Sequence, residues 1–238
     1  MLTFNRDELP AKASEIPPVM RQPELGDVAI LSPLDAPRRG TWIGVNSVGV
    51  AACLLNGYHE NDIARRGAET AAASRGEIIP KMLAHGGFDE CIAWVQRGFD
   101  PSLFKSFTLL VFSLQQGASI QWTGARPMKI EPVEGDWLMW TSSSWSAEEV
   151  LPWRRAFFEE WIRKGAKFEG DVPLMHLAQP EGMAEFTPLM CRDGGKTRSI
   201  TQIQMTAAGQ IEMRYWPDPV TALPLPRSRV KMAVSTPR

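Results

Sequence analysis

Two apolar runs on either side of Asn46-Ser47 constrain this chain most. Gly40-Thr41-Trp42-Ile43-Gly44-Val45 leads in, and Val50-Ala51-Ala52-Cys53-Leu54-Leu55 leads out, with Gly49 just past the turn. β-type residues flanking a short polar turn predict a hairpin. A hairpin commits its strands to antiparallel pairing. Ala and Gly on the second strand indicate that another layer packs closely against it.

The rest of the chain extends this pattern. Residues 107–114 are apolar with poor alternation, which predicts a buried strand. Further strands are expected at 119–123, 128–131 and 137–141, and a second hairpin at 199–205 and 210–215 around Ala208-Gly209. Residues 9–37 are Pro-rich and read as extended loop with one short strand near 28–31. Ser74-Arg75-Gly76-Glu77 has the form of a capping box, followed by Ile78, Ile79, Met82 and Leu83 at helical spacing. Gly86-Gly87 stops that helix, and another follows over 88–96. Ser146-Ala147-Glu148-Glu149 is a second capping box. It opens a helix whose apolar face carries Val150, Trp153, Phe157 and Trp161, with Arg154, Arg155, Glu159 and Glu160 on the solvated face. Residues 171–178 read as a short helix. Runs of strands separated by helices predict an α+β layered fold with largely antiparallel sheets. One domain is expected over 1–220, and a poorly ordered, Pro-rich basic tail over 221–238.

Composition narrows the function. A net charge of -1 gives no bulk attraction to nucleic acid. No apolar run approaches the ~20 residues that span a bilayer. The N-terminus lacks the apolar core and cleavage site of a secretory signal. Three cysteines, Cys53, Cys91 and Cys191, form no cluster and favour a reducing, cytoplasmic setting. They read as buried structural thiols.

Cofactor signals are missing. No Gly-x-Gly-x-x-Gly follows a strand, and Gly194-Gly195-Lys196-Thr197 lacks the upstream glycine of a phosphate loop, so it reads as a turn between strands. His59, Glu60 and Asp62 lack metal-ligand spacing. No cofactor and no metal are expected. What remains is Asn5-Arg6-Asp7-Glu8, four polar residues directly after an apolar stub. One reading is a strand end with a salt-bridged turn. The other is a site: Arg6 and Asp7 together could lower a thiol pKa and hold an α-amine. Asn56 could offer its amide N–H to a developing oxyanion, or simply precede Gly57 in a turn.

Taken together these residues resemble the NRDE family, also called the Transport and Golgi organisation 2 family. The resemblance runs through Asn5-Arg6-Asp7-Glu8, Gly40-Thr41-Trp42-Ile43-Gly44-Val45-Asn46, Gly49-Val50-Ala51-Ala52 and Leu54-Leu55-Asn56. It continues with Ser74-Arg75-Gly76, Ile79-Pro80, Thr141-Ser142-Ser143 and 197–202. It implies an N-terminal nucleophile (Ntn) hydrolase-like fold, a four-layer αββα sandwich of two mostly antiparallel sheets. It also implies a pocket for amide or ester hydrolysis of a small molecule. Arg6, Asp7 and Asn56 would be the supporting catalytic residues, and Asn5, Arg6 and Asn56 the ligand contacts. Such enzymes begin Met-Cys, whereas this chain begins Met1-Leu2 within the NRDE strand. The first strand reads as truncated, and as written the chain is expected to be inactive by that mechanism. The alternative implied is a non-catalytic ligand-binding or trafficking role in secretion, Golgi organisation, or haem or lipid-metabolite handling. The expected partner is a small-molecule ligand or substrate, with no nucleic acid and no membrane span.

Overall fold

The computed structural model describes residues 1–9, 15–22, 28–58, 73–124, 127–220, 226 and 228–235. The candidate ligands His59, Glu60 and Asp62 lie outside them. In chain order the strands are β1 (Leu2–Glu8), β2 (Glu15–Arg21), β3 (Ile30–Asp35), β4 (Ile43–Asn46) and β5 (Ala51–Asn56). Then come β6 (Phe107–Phe112), β7 (Gly117–Trp122), β8 (Lys129–Pro132), β9 (Phe168–Glu169) and β10 (Val172–Pro173). The last are β11 (Cys191–Arg192), β12 (Gly195–Met205), β13 (Gln210–Pro217) and β14 (Ser228–Ala233). The α-helices are α1 (Ile78–Leu83), α2 (Phe88–Arg97) and α3 (Ala147–Arg163). This is an α+β protein with two mostly antiparallel main sheets. Contacts divide it into two compact units, neither continuous in sequence: residues 1–12, 135–202 and 213–229 in one, 13–134, 203–212 and 230–238 in the other.

The second unit is built on a seven-stranded sheet in the order β2-β3-β4-β5-β6-β7-β8. Its central register sets Ala52 opposite Val111 and Leu54 opposite Leu109. These residues face Ile78, Ile79, Met82 and Leu83 of α1 and Cys91 and Val95 of α2 in one core. The alternate residues Cys53 and Leu110 are also buried, so the central strands hide both faces. That is why 107–112 reads as a continuous apolar run with no clean alternation. Each fully buried large side chain contributes about 1.5–3 kcal/mol.

The predicted hairpin at Asn46 forms, and Asn46 does more than turn the chain. It is fully buried; its amide donates to the carbonyls of Leu83 (2.9 Å) and Gly86 (2.6 Å), and its Oδ1 accepts from the N–H of Val50 at 2.9 Å. One side chain thereby ties the turn to the C-terminal end of α1, whose last carbonyls lack helical partners. At the other end of α1, the Ser74 N–H donates to Glu77 Oε1 at 3.3 Å, as the capping box predicts.

Several elements differ from expectation. Residues 15–21 and 30–35 form strands where mostly loop was expected, although Pro17 and Pro18 lie in β2. β2 ends the sheet, and its register shifts between Ile16 and Val19, which is where a sheet accommodates proline. The strand expected at 137–141 does not form. Gly135 adopts φ 137°, and Trp137 turns edge-on to Trp161 with ring centroids 5.1 Å apart. Docking of the aromatic ring prevails over β propensity there. Residues 171–178 hold β10 and the 3₁₀ turn Leu174–Leu177 instead of an α-helix. Residues 228–233, inside the segment expected to be poorly ordered, form β14. Ser228, Val230 and Met232 alternate with more exposed neighbours, the period of a half-buried strand.

The first unit carries β1, β11 and most of β12 and β13; β1 neighbours β12 in a sheet ordered β1-β12-β13-β14, with β11 paired to β12. Val172, Leu189, Ile200 and Trp216 form its apolar core. Ser146 does not cap α3 as predicted. It sits at φ 42°, and its hydroxyl donates to the Glu149 carboxylate at 2.6 Å instead of accepting a backbone N–H.

Candidate functional site

Strand geometry sorts the NRDE residues. Successive side chains point to opposite faces, so Thr3, Asn5 and Asp7 share one face while Arg6 and Glu8 share the other. Arg6 and Asp7, expected to act as a pair, are therefore split across the strand. Arg6 lies 3.5 Å from Glu8 Oε2, with 11% of its side chain exposed.

Asn5 is engaged on every polar atom. Its Nδ2 donates to the carbonyls of His176 (3.0 Å) and Pro188 (2.6 Å). Its Oδ1 therefore faces His176 Nδ1, 2.8 Å away, as an acceptor. This assigns the His176 proton to Nδ1, since an amide oxygen cannot donate. Burial pushes the His176 pKa down to about 4, so the ring is neutral at physiological pH.

Asp7 is different. Its Oδ1 accepts from the Thr197 hydroxyl at 2.6 Å, and Oδ2 has no partner among the described residues. Asp7 is exposed on one side and crowded by protein on the others. Desolvation raises its carboxyl above the ordinary range, while the Thr197 bond and the charges of Arg154 and Arg192 pull it part-way back.

Those two arginines were not singled out as site residues. Arg154, expected on the solvated face of α3, is buried at 7% exposure. Its guanidinium donates to the carbonyls of Phe186 (2.7 Å) and Thr187 (3.1 Å) and to the Thr141 hydroxyl (2.8 Å). The signal was its spacing: Arg154 falls four residues after Val150 and seven before Trp161, the other two buried positions of α3. Arg192 is half-buried, lies over the Trp145 ring at 5.3 Å, and among the described residues its side chain makes one long hydrogen bond, of 3.5 Å, to the Ser144 hydroxyl. An acid with one open oxygen thus feels the charge of a lightly held guanidinium, which itself lies over an indole face.

Asn56 belongs to the other unit. It ends β5, and its amide donates to the Tyr58 hydroxyl at 2.9 Å. Gly57 follows because a Cβ there would come within 2.8 Å of the Ser106 backbone. Of the cysteines, Cys53 and Cys91 are buried, and burial pushes both thiols up to about 12. Cys191, expected to be buried, is exposed, because it lies in the short two-residue strand β11. No group of three or more acidic, His or Cys side chains suited to a metal occurs among the described residues. No helix among them is long and apolar enough to cross a membrane.

The model of one family, Transport and Golgi organisation 2, matches residues 1–171. The chain belongs to that family. The Transport and Golgi organisation 2 match takes in β1 through β9 and α3, including Asn5, Arg6, Asp7 and Asn56. It ends before His176, Pro188 and Thr197, the residues that Asn5 and Asp7 hold. The namesake motif of this family member is thus anchored to chain beyond the matched segment. No curated protein matches the chain.

Proposed function

We propose that this Transport and Golgi organisation 2 family member binds a small polar molecule at Asp7 and Arg192 without itself breaking a bond. The open Oδ2 of Asp7 carries the reading. A carboxylate oxygen facing solvent beside a lightly held guanidinium suits a ligand with an N–H donor and an anionic group, such as an N-acyl amino acid. The Trp145 ring suits an aromatic or apolar portion of that ligand. Hydrolysis would need an activated nucleophile, and thiols pushed up to about 12 at Cys53 and Cys91 do not supply one. Arg6 stays in the proposal as a donor that exchanges Glu8 for the ligand. Asn56, in its own unit, is proposed as a donor that exchanges Tyr58 for a ligand bound separately there. A carrier or sensor of such molecules also suits a family named for transport and Golgi organisation.

Hippurate, which has an amide N–H, a carboxylate and a phenyl ring, is a direct probe. Titration of the full chain should give a saturable change in tryptophan fluorescence, lost in Asp7→Asn and in Arg192→Gln, with no release of glycine. Glycine release that depends on Asp7 would make the protein a hydrolase. Equal binding by both variants would remove the site from Asp7.

A further inference from the structure

A second cluster, in the other unit, holds positive charge without a counter-ion among the described residues. Arg21 ends β2 and is only partly exposed. Its guanidinium makes two hydrogen bonds: Nη2 donates to the Ser32 hydroxyl at 2.9 Å, and Nη1 to the carbonyl of Arg39 at 3.3 Å. Its Nε is buried and has no acceptor. Of five N–H donors, three are therefore unused. No carboxylate acts on it among the described residues. Burial, and then the charge of Arg39, hold the Arg21 pKa below its usual value.

Arg39 is exposed and has no ion-pair or side-chain hydrogen-bond partner among the described residues. It is held in the left-handed region at φ 57°, inside a turn closed by the Arg39 N–H to the Asp35 carbonyl (2.8 Å) and the Asp35 N–H to the Gly40 carbonyl (2.9 Å). That conformation is uncommon for a residue with a long side chain. Arg21 Nη1 lies against the Arg39 backbone, and the two like charges act on each other, which costs free energy where one of them is desolvated. The chain's net charge of -1 gives no general excess of cations to explain the pairing. By contrast Lys81, Lys129, Lys196 and Arg214 each lie against a carboxylate. An oxyanion between the two arginines would turn repulsion into attraction and accept from the unused Nη donors.

We propose that Arg21, fixed by Ser32, and Arg39 form a binding site for a phosphoryl group, taken either as free phosphate or as a phosphate monoester. A tetrahedral dianion fits two forks better than a carboxylate, which one arginine satisfies alone. The site is independent of Asp7, so either proposal can fail without the other.

Calorimetry of the full chain tests it with inorganic phosphate, glycerol 3-phosphate and acetate. Phosphate should bind, with acetate about tenfold weaker or more. Tighter binding of glycerol 3-phosphate assigns the site to a monoester, and equal binding assigns it to the free ion. Arg39→Gln, at an exposed position, should keep the melting temperature measured without phosphate and lose about tenfold or more in affinity. Arg21→Lys keeps the charge but removes the fork, and should lose affinity similarly. The Arg21 Nε–H resonance should move on titration. Absence of binding, acetate binding as well as phosphate, or Arg39→Gln binding like wild type would each overturn the proposal.

Discussion

At the scale of single residues, buried polar side chains tie the helix of the first unit to its loops. Arg154 is the clearest case. Its guanidinium satisfies two carbonyls and a hydroxyl that would otherwise be left unpaired, each costing roughly 1–3 kcal/mol. Arg154→Ala should destabilise the protein by about 3–5 kcal/mol, measured by urea unfolding, whereas Arg155→Ala at the exposed neighbour should change it by less than about 0.5 kcal/mol. His176 makes a pH prediction. Its folded pKa of about 4 lies below its unfolded value near 6.5, so the unfolded chain binds the proton more readily in that window. The contribution of neutral His176 is complete above pH ~6.5 and fades as pH falls toward 4. Asp7 has the opposite sign, since a raised carboxyl favours the folded state at low pH and loses that advantage as pH rises. Wild type should therefore melt lower at acid pH, and His176→Gln should flatten that slope while Asp7→Asn should steepen it.

At the scale of elements, the chain was legible where periodicity and local chemistry agreed. The hairpins at Asn46 and at Ala208-Gly209, the helices after Ser74 and Ser146, and the buried strand at 107–112 all carry their own signal. β2 was hidden because Pro17 and Pro18 argue against a strand unless it lies at an edge, and edge position is set by tertiary context. The segment 137–141 had strand-forming residues, but its tryptophan docks on α3. Likewise the NRDE motif was visible, but not which residues it holds, because His176, Pro188 and Thr197 are 171 to 190 positions away. No local pattern encodes a contact at that distance. The end of β5 shows the same principle in reverse. Asn56-Gly57 looks like a turn dipeptide, yet the glycine answers to the Ser106 backbone, whose carbonyl accepts its N–H at 3.0 Å. Gly57→Ala should cost about 1–3 kcal/mol by crowding alone, whereas Gly165→Ala, with nothing within 4 Å, should cost only what its left-handed backbone imposes. Parallel thermal melts of the two variants compare these effects.

At the scale of the whole molecule, Val234 and Ser235 act as stitches. The N–H of Val234 donates to the Gly209 carbonyl and the N–H of Ser235 to the Ser47 carbonyl, both at 2.7 Å. Val234 also lines a cavity of about 360 Å³ together with Gly49, Phe88 and Thr206. Removing residues 228–238 should remove these hydrogen bonds and strip the neighbour of β13. Calorimetric melting should fall by about 4 °C or more, at roughly 2–4 °C per kcal/mol for a chain of this size. An unchanged melting temperature would mean that β14 adds nothing to stability.

The two sheets also live on different clocks. In the seven-stranded sheet every strand pairs with the next one along the chain, so it can close progressively as residues up to 132 leave the ribosome. Among the described residues β1 pairs instead with β12. Asp7 must wait for Thr197, which is 190 residues later, about 10–40 s at ordinary rates of synthesis. Throughout that interval the NRDE strand is an unpaired edge on a nascent chain, the state a chaperone would recognise. Its three charges, Arg6, Asp7 and Glu8, are the residue types that keep such an edge from pairing with the wrong strand.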